Sequence, residues 1–257
     1  MQILTFDHPL VVGHRGFRAR YPENTRVSFE AATNAGVEMV ELDVHLSRDD
    51  QLVVIHDDRV DRTTSGTGDV SAMTLAELKK LDAGSWFNER FAGERIPTLK
   101  EVFDCVGDRV KINIEIKFAG TDYVPGRIET AVLDLIRRED AASRVLISSF
   151  DPRVVQYIRR ADPSLAAAFI SRSADGMKTV DFCRQLGVYS FHPNFRCLNT
   201  ELITGLHDAG IHVFPYTVNT EPDFQKMMQL GVDGVITDDP VVFKKWYANN
   251  PAQPAGN

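Results

Sequence analysis

Eight short apolar runs recur along this chain, and their spacing constrains the fold more than any other feature. They are Leu10–Gly13, Met39–Val44, Ile112–Ile116, Val145–Phe150, Ala166–Ile170, Val188–His192, His212–Val218 and Gly234–Thr237. From the third onward most are separated by about 30 residues that include a helix-like segment, which is the βα rhythm of a parallel barrel. Helix punctuation supports the count. Asp151-Pro152 and Asp239-Pro240 each place a capping residue before a proline suited to the first helical position. Gly36, Gly187, Gly210 and Gly231 follow amphipathic stretches, where a left-handed C-terminal residue is expected. The expected fold is therefore α/β, a (β/α)8 TIM barrel closing on itself as one domain over residues 1–248.

One stretch breaks the rhythm. From Asp57 to about Pro97 there are helix signals but no run strong enough to be a stave, so residues 57–97 read as an insertion at the barrel mouth, after the extra strand carrying His56. Within it Thr74-Leu75-Ala76-Glu77 is a capping box opening a short helix through Leu81, and just beyond it Thr98-Leu99-Lys100-Glu101 opens another. The polar, Pro-rich end, residues 249–257, is expected to be disordered.

Composition narrows the function classes. Net charge is −7, which opposes general attraction to nucleic acid or to an anionic membrane. No apolar stretch approaches the roughly 20 residues of a membrane span, and no basic leader opens the chain, so neither a stable membrane anchor nor a secretory signal is expected. Cys105, Cys183 and Cys197 cannot all pair internally and form no Cys-x-x-Cys motif. Reduced thiols in a cytoplasmic protein are the expectation.

The chemistry gathers at the ends of the apolar runs. His14 follows Leu10–Gly13, Glu41 and Asp43 lie in Met39–Val44, His56 follows Leu52–Ile55, and Glu115 lies in Ile112–Ile116. A bare buried carboxylate costs several kcal/mol unless a cation or hydrogen bonds compensate it. Two residues apart on one strand, Glu41 and Asp43 face the same side, the barrel interior, and Glu115 on the neighbouring strand completes three convergent oxygen ligands. Such a set suits Mg²⁺ or Ca²⁺ better than zinc. The alternative is an ion network in which Glu41 pairs with Arg15 or Lys117 without a metal. His14 and His56, flanking one site, could supply a general base and a general acid. His45 continues the inward alternation and is a candidate to support them. Arg15 and Lys117 beside the acids suit an oxygen-rich anion such as phosphate. Gly16 either permits close backbone approach or is simply a turn. Phe118, Phe150, Phe191 and Tyr216 could line the cleft, with Phe150 and Tyr216 the pocket candidates. Ser148-Ser149 lacks a nucleophile elbow, so a covalent serine mechanism is not expected.

These residues stand in an ordered series that resembles the glycerophosphodiester phosphodiesterase family. The series is His14-Arg15-Gly16, Pro22-Glu23-Asn24-Thr25, Glu41-Leu42-Asp43-Val44, His56-Asp57, Arg62-Thr63-Thr64, Ile96-Pro97-Thr98-Leu99, Asn113-Ile114-Glu115-Ile116-Lys117, Ser148-Ser149-Phe150, Thr217-Val218-Asn219 and Gly231 through Asp238. The resemblance spans nearly the whole chain. It implies metal-dependent hydrolysis of a small-molecule glycerophosphodiester to an alcohol and sn-glycerol 3-phosphate. Carried over position by position, Glu41, Asp43 and Glu115 would hold Mg²⁺ or Ca²⁺, His14 and His56 would exchange protons, and Arg15 and Lys117 would meet the phosphate. One departure concerns the pocket: the family commonly has Trp before Thr-Val-Asn, and here Tyr216 adds a hydroxyl. Either the neighbouring glycerol hydroxyl or water could attack, and two opposed histidines favour the first, through a cyclic phosphate. Competing readings are a lysophospholipase D-like phosphodiesterase and an inactive barrel binding a phosphorylated polyol. The oligomeric state is not legible.

Overall fold

The computed structural model describes residues 8–117 and 124–250. Nine strands form one sheet: β1 (Leu10–Gly13), β2 (Met39–Leu46), β3 (Leu52–Val54), β4 (Lys111–Ile116), β5 (Val145–Ser149), β6 (Ala166–Ser171), β7 (Ser190–Pro193), β8 (His212–Val213) and β9 (Gly234–Thr237). Eight run parallel in the order β8-β7-β6-β5-β4-β2-β1-β9, while β3 pairs antiparallel with β2 alone. Each parallel strand leads to a helix on the outside. These are α1 (Arg26–Asn34), α3 (Leu99–Val106), α4 (Arg127–Arg138), α5 (Pro152–Ala161), α6 (Gly176–Leu186), α7 (Thr200–Asp208), α8 (Glu221–Leu230) and α9 (Pro240–Asn249), with the short α2 (Leu75–Leu78) added between β3 and α3. This is the (β/α)8 barrel that the apolar runs imply.

Two runs end sooner than the sequence suggests. The run from His212 to Val218 is regular only as far as Val213, because Pro215 has no N–H to give a ladder. Closure of the barrel nevertheless continues past it: Ile236 N donates to Pro215 O and Val218 N to Ile236 O, both at 2.9 Å, and Asp233 N donates to Val213 O at 3.1 Å. A cis peptide joins Tyr216 to Thr217. The run before His56 closes at Val54, so His56 sits in the following turn and not on the strand itself. There Val54 N donates to Pro97 O, leaving the chain free to bend across the mouth.

Alternation along the strands separates two cores. On β2 and β4, Val40, Leu42, Val44, Ile112, Ile114 and Ile116 point outward and pack with the helices. Leu10, Val12, Met39, Leu146, Ala166, Ala168, Phe214 and Ile236 point inward and form an apolar plug. The inward residues above that plug on β2 and β4 are Glu41, Asp43 and Glu115, which places the carboxylates near the C-terminal mouth. Residues between β3 and α3 have a small core of their own, where Val60, Val70, Leu78, Ala83 and Ile96 pack on Val53 and Ile55. Both capping boxes form, at Thr74/Glu77 and Thr98/Glu101, but α2 stops at Leu78, short of Leu81. Prolines stand at the starts of α5 and α9 after capping Asp151 and Asp239. Of the tail, residues 251–257 lie outside the described residues, as does most of the N-terminal segment.

Asp233 fastens the last strands together at the opposite end from the mouth. Its carboxylate accepts the Val213 N–H at 2.8 Å and meets His207 and His212, each at 2.9 Å. Burial works against its charge, yet these partners hold the carboxyl well below the usual range. Asp233→Ala is expected to lower unfolding stability by about 2 kcal/mol, since it strips several bonds from one partly buried charge. Urea unfolding at neutral pH checks this, and a loss below about 0.5 kcal/mol, the size of an ordinary surface change, contradicts it.

Candidate active site

At the C-terminal end of the strands a cavity of about 640 Å³ opens to solvent, and both histidines, Arg15, Glu41, Glu115 and Lys117 line it. Single oxygens of Glu41, Asp43 and Glu115 lie within 4.8 Å of one another, and all three side chains are buried. Direct register explains the convergence, because Asp43 on β2 stands opposite Glu115 on β4 and Glu41 opposite Asn113.

The three acids are compensated unequally. Asp43 faces Lys117 Nζ at 2.8 Å and Arg15 Nε at 3.4 Å, and accepts from Asn24 Nδ2 at 2.7 Å. Burial would raise its pKa, but Lys117, Arg15 and His56 outweigh burial and hold the carboxyl far below the usual range. Glu115 shares the Lys117 ammonium, yet burial keeps its pKa raised. Glu41 accepts only the Arg15 backbone N–H, at 2.9 Å, and no cation stands at ion-pair distance among the described residues. Burial first, then the charges of Asp43 and Glu115, push its carboxyl well above the ordinary value. The ion network foreseen as an alternative therefore exists around Asp43 and Glu115, but Glu41 is left out of it.

Each candidate histidine is backed by a carboxylate. His14 Nδ1 is 2.6 Å from Asp238 Oδ1, and His56 Nδ1 is 2.6 Å from Asp57 Oδ1. With Nδ1 so engaged, Nε2 is the atom each ring offers to a reactant. Desolvation lowers both pKa values, that of His56 to about 4, which favours the base role; an oxyanion beside either ring would raise it toward the imidazolium that an acid role needs. His45 contacts the His56 carbonyl oxygen at 3.1 Å, which steadies the turn that presents His56.

Several of these supports had no role assigned from the sequence. Asp238 follows β9 just as His14 follows β1, so the same strand-end logic could have found it. Glu23 is a hub: it holds Arg15 at 2.8 Å, Arg18 at 2.9 Å and Arg62 at 2.7 Å, and Arg62 in turn holds Asp57 at 2.6 Å. Burial opposes the Glu23 charge, but Arg62 and Arg15 bring its pKa down to about 2. Its place two residues before a helix cap gave no such signal. Gly16 proves to be a turn residue with φ of 86° whose close approach is to Ser28 of α1, where an added Cβ would meet Ser28 Oγ at 2.4 Å. Phe150 and Tyr216 do line the cavity, edge to face at 6.0 Å. The Tyr216 hydroxyl donates to Ser171 O at 3.2 Å, so its proton is engaged by the backbone and its oxygen is left as an acceptor. Phe191 faces the helices, and Phe118 lies outside the described residues. Ser149 Oγ donates to Ile116 O, and Ser148 is fully buried, so neither hydroxyl is presented as a nucleophile.

Residues 14–242 match the glycerophosphoryl diester phosphodiesterase family. The chain belongs to that family. A glycerophosphodiester phosphodiesterase of Caldanaerobacter subterraneus subsp. tengcongensis is 43% identical over 232 residues, covering 90% of this chain and 94% of the relative. One from Bacillus subtilis is 33% identical, covering 95% and 88%. Among solved structures, an Oleispira antarctica phosphodiesterase in complex with the product sn-glycerol-3-phosphate superposes with a TM-score of 0.88 at 28% identity, covering 94% of this chain and 97% of that one. The Thermotoga maritima glycerophosphodiester phosphodiesterase gives 0.77 at 30%, covering 94% and 99%. The chain is accordingly an enzyme, a phosphoric diester hydrolase of this family.

Unequal compensation has a measurable consequence. A carboxyl whose folded pKa is raised loses stability as pH rises above its unfolded value, because the unfolded chain ionises more readily. Glu41→Gln keeps the acceptor for the Arg15 amide and removes that loss. In chelator-treated protein it should therefore add about 1 kcal/mol at pH 7, with the gain fading as pH falls through about 4, where the unfolded chain also takes up the proton. Denaturant unfolding at the two pH values checks the sign; a variant less stable than wild type at pH 7 contradicts it.

Proposed function

We propose that the enzyme hydrolyses glycerophosphodiesters to an alcohol and sn-glycerol 3-phosphate, with His14 and His56 as its acid–base pair at a divalent-cation site made by Glu41, Asp43 and Glu115. The observation that carries this reading is the meeting of two carboxylate-backed imidazoles and three buried carboxylates at one cavity. The oxygen-only donor set suits Mg²⁺ or Ca²⁺, and the uncompensated Glu41 is the position that most needs a cation. When bound, such an ion would polarise the phosphate and make the attacking hydroxyl more acidic.

The side chains supply the rest. One imidazole, neutral at Nε2, takes the proton of the glycerol hydroxyl next to the phosphate as that oxygen attacks phosphorus, and the opposite imidazole, entering the cycle as imidazolium beside the anionic substrate, protonates the departing alkoxide. A cyclic phosphate results. The roles then reverse: the second imidazole takes a proton from water, and the first returns its proton to the glycerol oxygen as the ring opens. Asp238 and Asp57 stabilise the imidazolium formed at each stage. With the acids engaged by a cation, Arg15 and Lys117 share their charge with the phosphate oxygens, where negative charge grows in the transition state. The product bound in the Oleispira relative supports the choice of substrate class. None of the exposed large apolar side chains Trp86, Val124, Met177, Phe182 and Val241 lines the cavity, so the lysophospholipase-like reading is not preferred. Among the described residues no helix is long and apolar enough to cross a membrane.

Release of glycerol 3-phosphate from bis(glycerol) phosphodiester tests the reading. His14→Ala and His56→Ala should each lower kcat by about 10²- to 10⁴-fold. Chelation should abolish turnover and added Mg²⁺ or Ca²⁺ restore it. Wild-type turnover in both histidine variants, or in metal-free enzyme, would remove the corresponding assignment.

A further inference from the structure

The catalytic groups occupy one side of the cavity, from β1, β2, β4 and the turn after β3. The opposite wall is built by Phe150, Ile170, Arg172, His192, Asn194 and Tyr216, at the ends of β5 to β8. Within it Arg172 is unlike every other cavity cation. Arg15, Arg18 and Lys117 each touch a carboxylate. Arg172 has no carboxylate at ion-pair distance among the described residues, and its guanidinium carbon lies 4.9 Å from the centre of the Phe150 ring. The arrangement is braced from below, since Tyr216 abuts Phe150 edge-on and hydrogen-bonds the carbonyl of Ser171, the residue just before Arg172. A guanidinium laid on an aromatic face keeps its N–H edges free for a planar or tetrahedral oxyanion.

The same contact bears on what this wall rejects. A quaternary ammonium group is held by exposed aromatic faces, and here the exposed Arg172 sets its own positive charge over the face of Phe150. A second observation comes from β7. His192 is 1% exposed, its Nε2 is 3.0 Å from Ser190 Oγ, and its Nδ1 has no partner although the residue lines the cavity. A buried polar atom without a partner is uncommon, and it marks this part of the wall as more polar than a plain apolar core.

We propose that this wall is the subsite for the leaving alcohol and that Arg172 selects alcohols carrying an anionic group, so that a phosphorylated polyol is preferred to a quaternary ammonium alcohol. The inference rests on the activity proposed above and adds the class of leaving group.

Three substrates separate the elements of the claim: glycerophosphoinositol 4-phosphate, glycerophosphoinositol and glycerophosphocholine, assayed by glycerol 3-phosphate release with saturating Mg²⁺. Wild type should show kcat/KM highest for the first and lowest for the third. Arg172→Gln should reduce the ratio of the phosphorylated to the unphosphorylated inositol substrate about tenfold, the size of one charge-assisted contact. Arg172→Lys, which keeps the charge but loses the planar fork, should retain part of it, and raised salt should shrink the wild-type ratio. Equal changes for all three substrates in Arg172→Gln, or choline as the best wild-type substrate, would overturn the subsite. No turnover of any of the three by wild type, nor of bis(glycerol) phosphodiester, would instead remove the proposed activity and this inference with it.

Discussion

Glu41, Asp43 and Glu115 face one another above an apolar plug, and the rest of the site is arranged around the repulsion between them. Below them the barrel holds a plug of Leu, Val, Ala, Met, Ile and Phe side chains, which gives the charges a poorly polarisable floor. Lys117, Arg15 and Asn24 settle Asp43. What remains unsettled is Glu41, pushed up by burial and by its two neighbours. A fold that holds such a group at its mouth retains an electrostatic deficit that a bound cation removes, a familiar exchange of stability for function.

The surrounding charges extend this arrangement outward. Glu23 ties three arginines together, and through Arg62 reaches Asp57, which orients His56. Asp238 orients His14 and also meets Arg18 and Asn219. The two imidazoles are thus held by separate carboxylates on different elements, a symmetry that suits exchanging acid and base roles. Among the described residues that line the cavity, the far wall's Arg172 is the guanidinium without a carboxylate, where the electrostatics can serve a substituent of the substrate and not the reacting phosphate.

Strand periodicity made the central site legible. Two residues apart on one apolar run, Glu41 and Asp43 had to share a face, and barrel topology brings Glu115 beside them. Helix caps at Thr74, Thr98, Asp151 and Asp239 were equally local and equally readable. What escaped depends on contacts distant in sequence: Asp238 lies 224 residues from the His14 it supports. His56 was expected on a strand, but backbone bonding to Pro97 ends β3 at Val54. The backbone bond of the Tyr216 hydroxyl was hidden because its acceptor, Ser171 O, belongs to another strand end. Arg15 and Lys117 were read as phosphate ligands, and the geometry shows them first as partners of Asp43 and Glu115, a competition that no spacing rule exposes.

The central claim is that a divalent cation completes the carboxylate cluster by displacing protons from acids that burial has made weak. Calorimetric titration of metal-free protein with Mg²⁺ or Ca²⁺, repeated near pH 6 in buffers of different ionisation enthalpy, counts those protons directly. The account predicts one ion per chain with net release of protons, smaller in Glu41→Gln than in wild type. Binding without proton release, or with the same release in the variant, would contradict it.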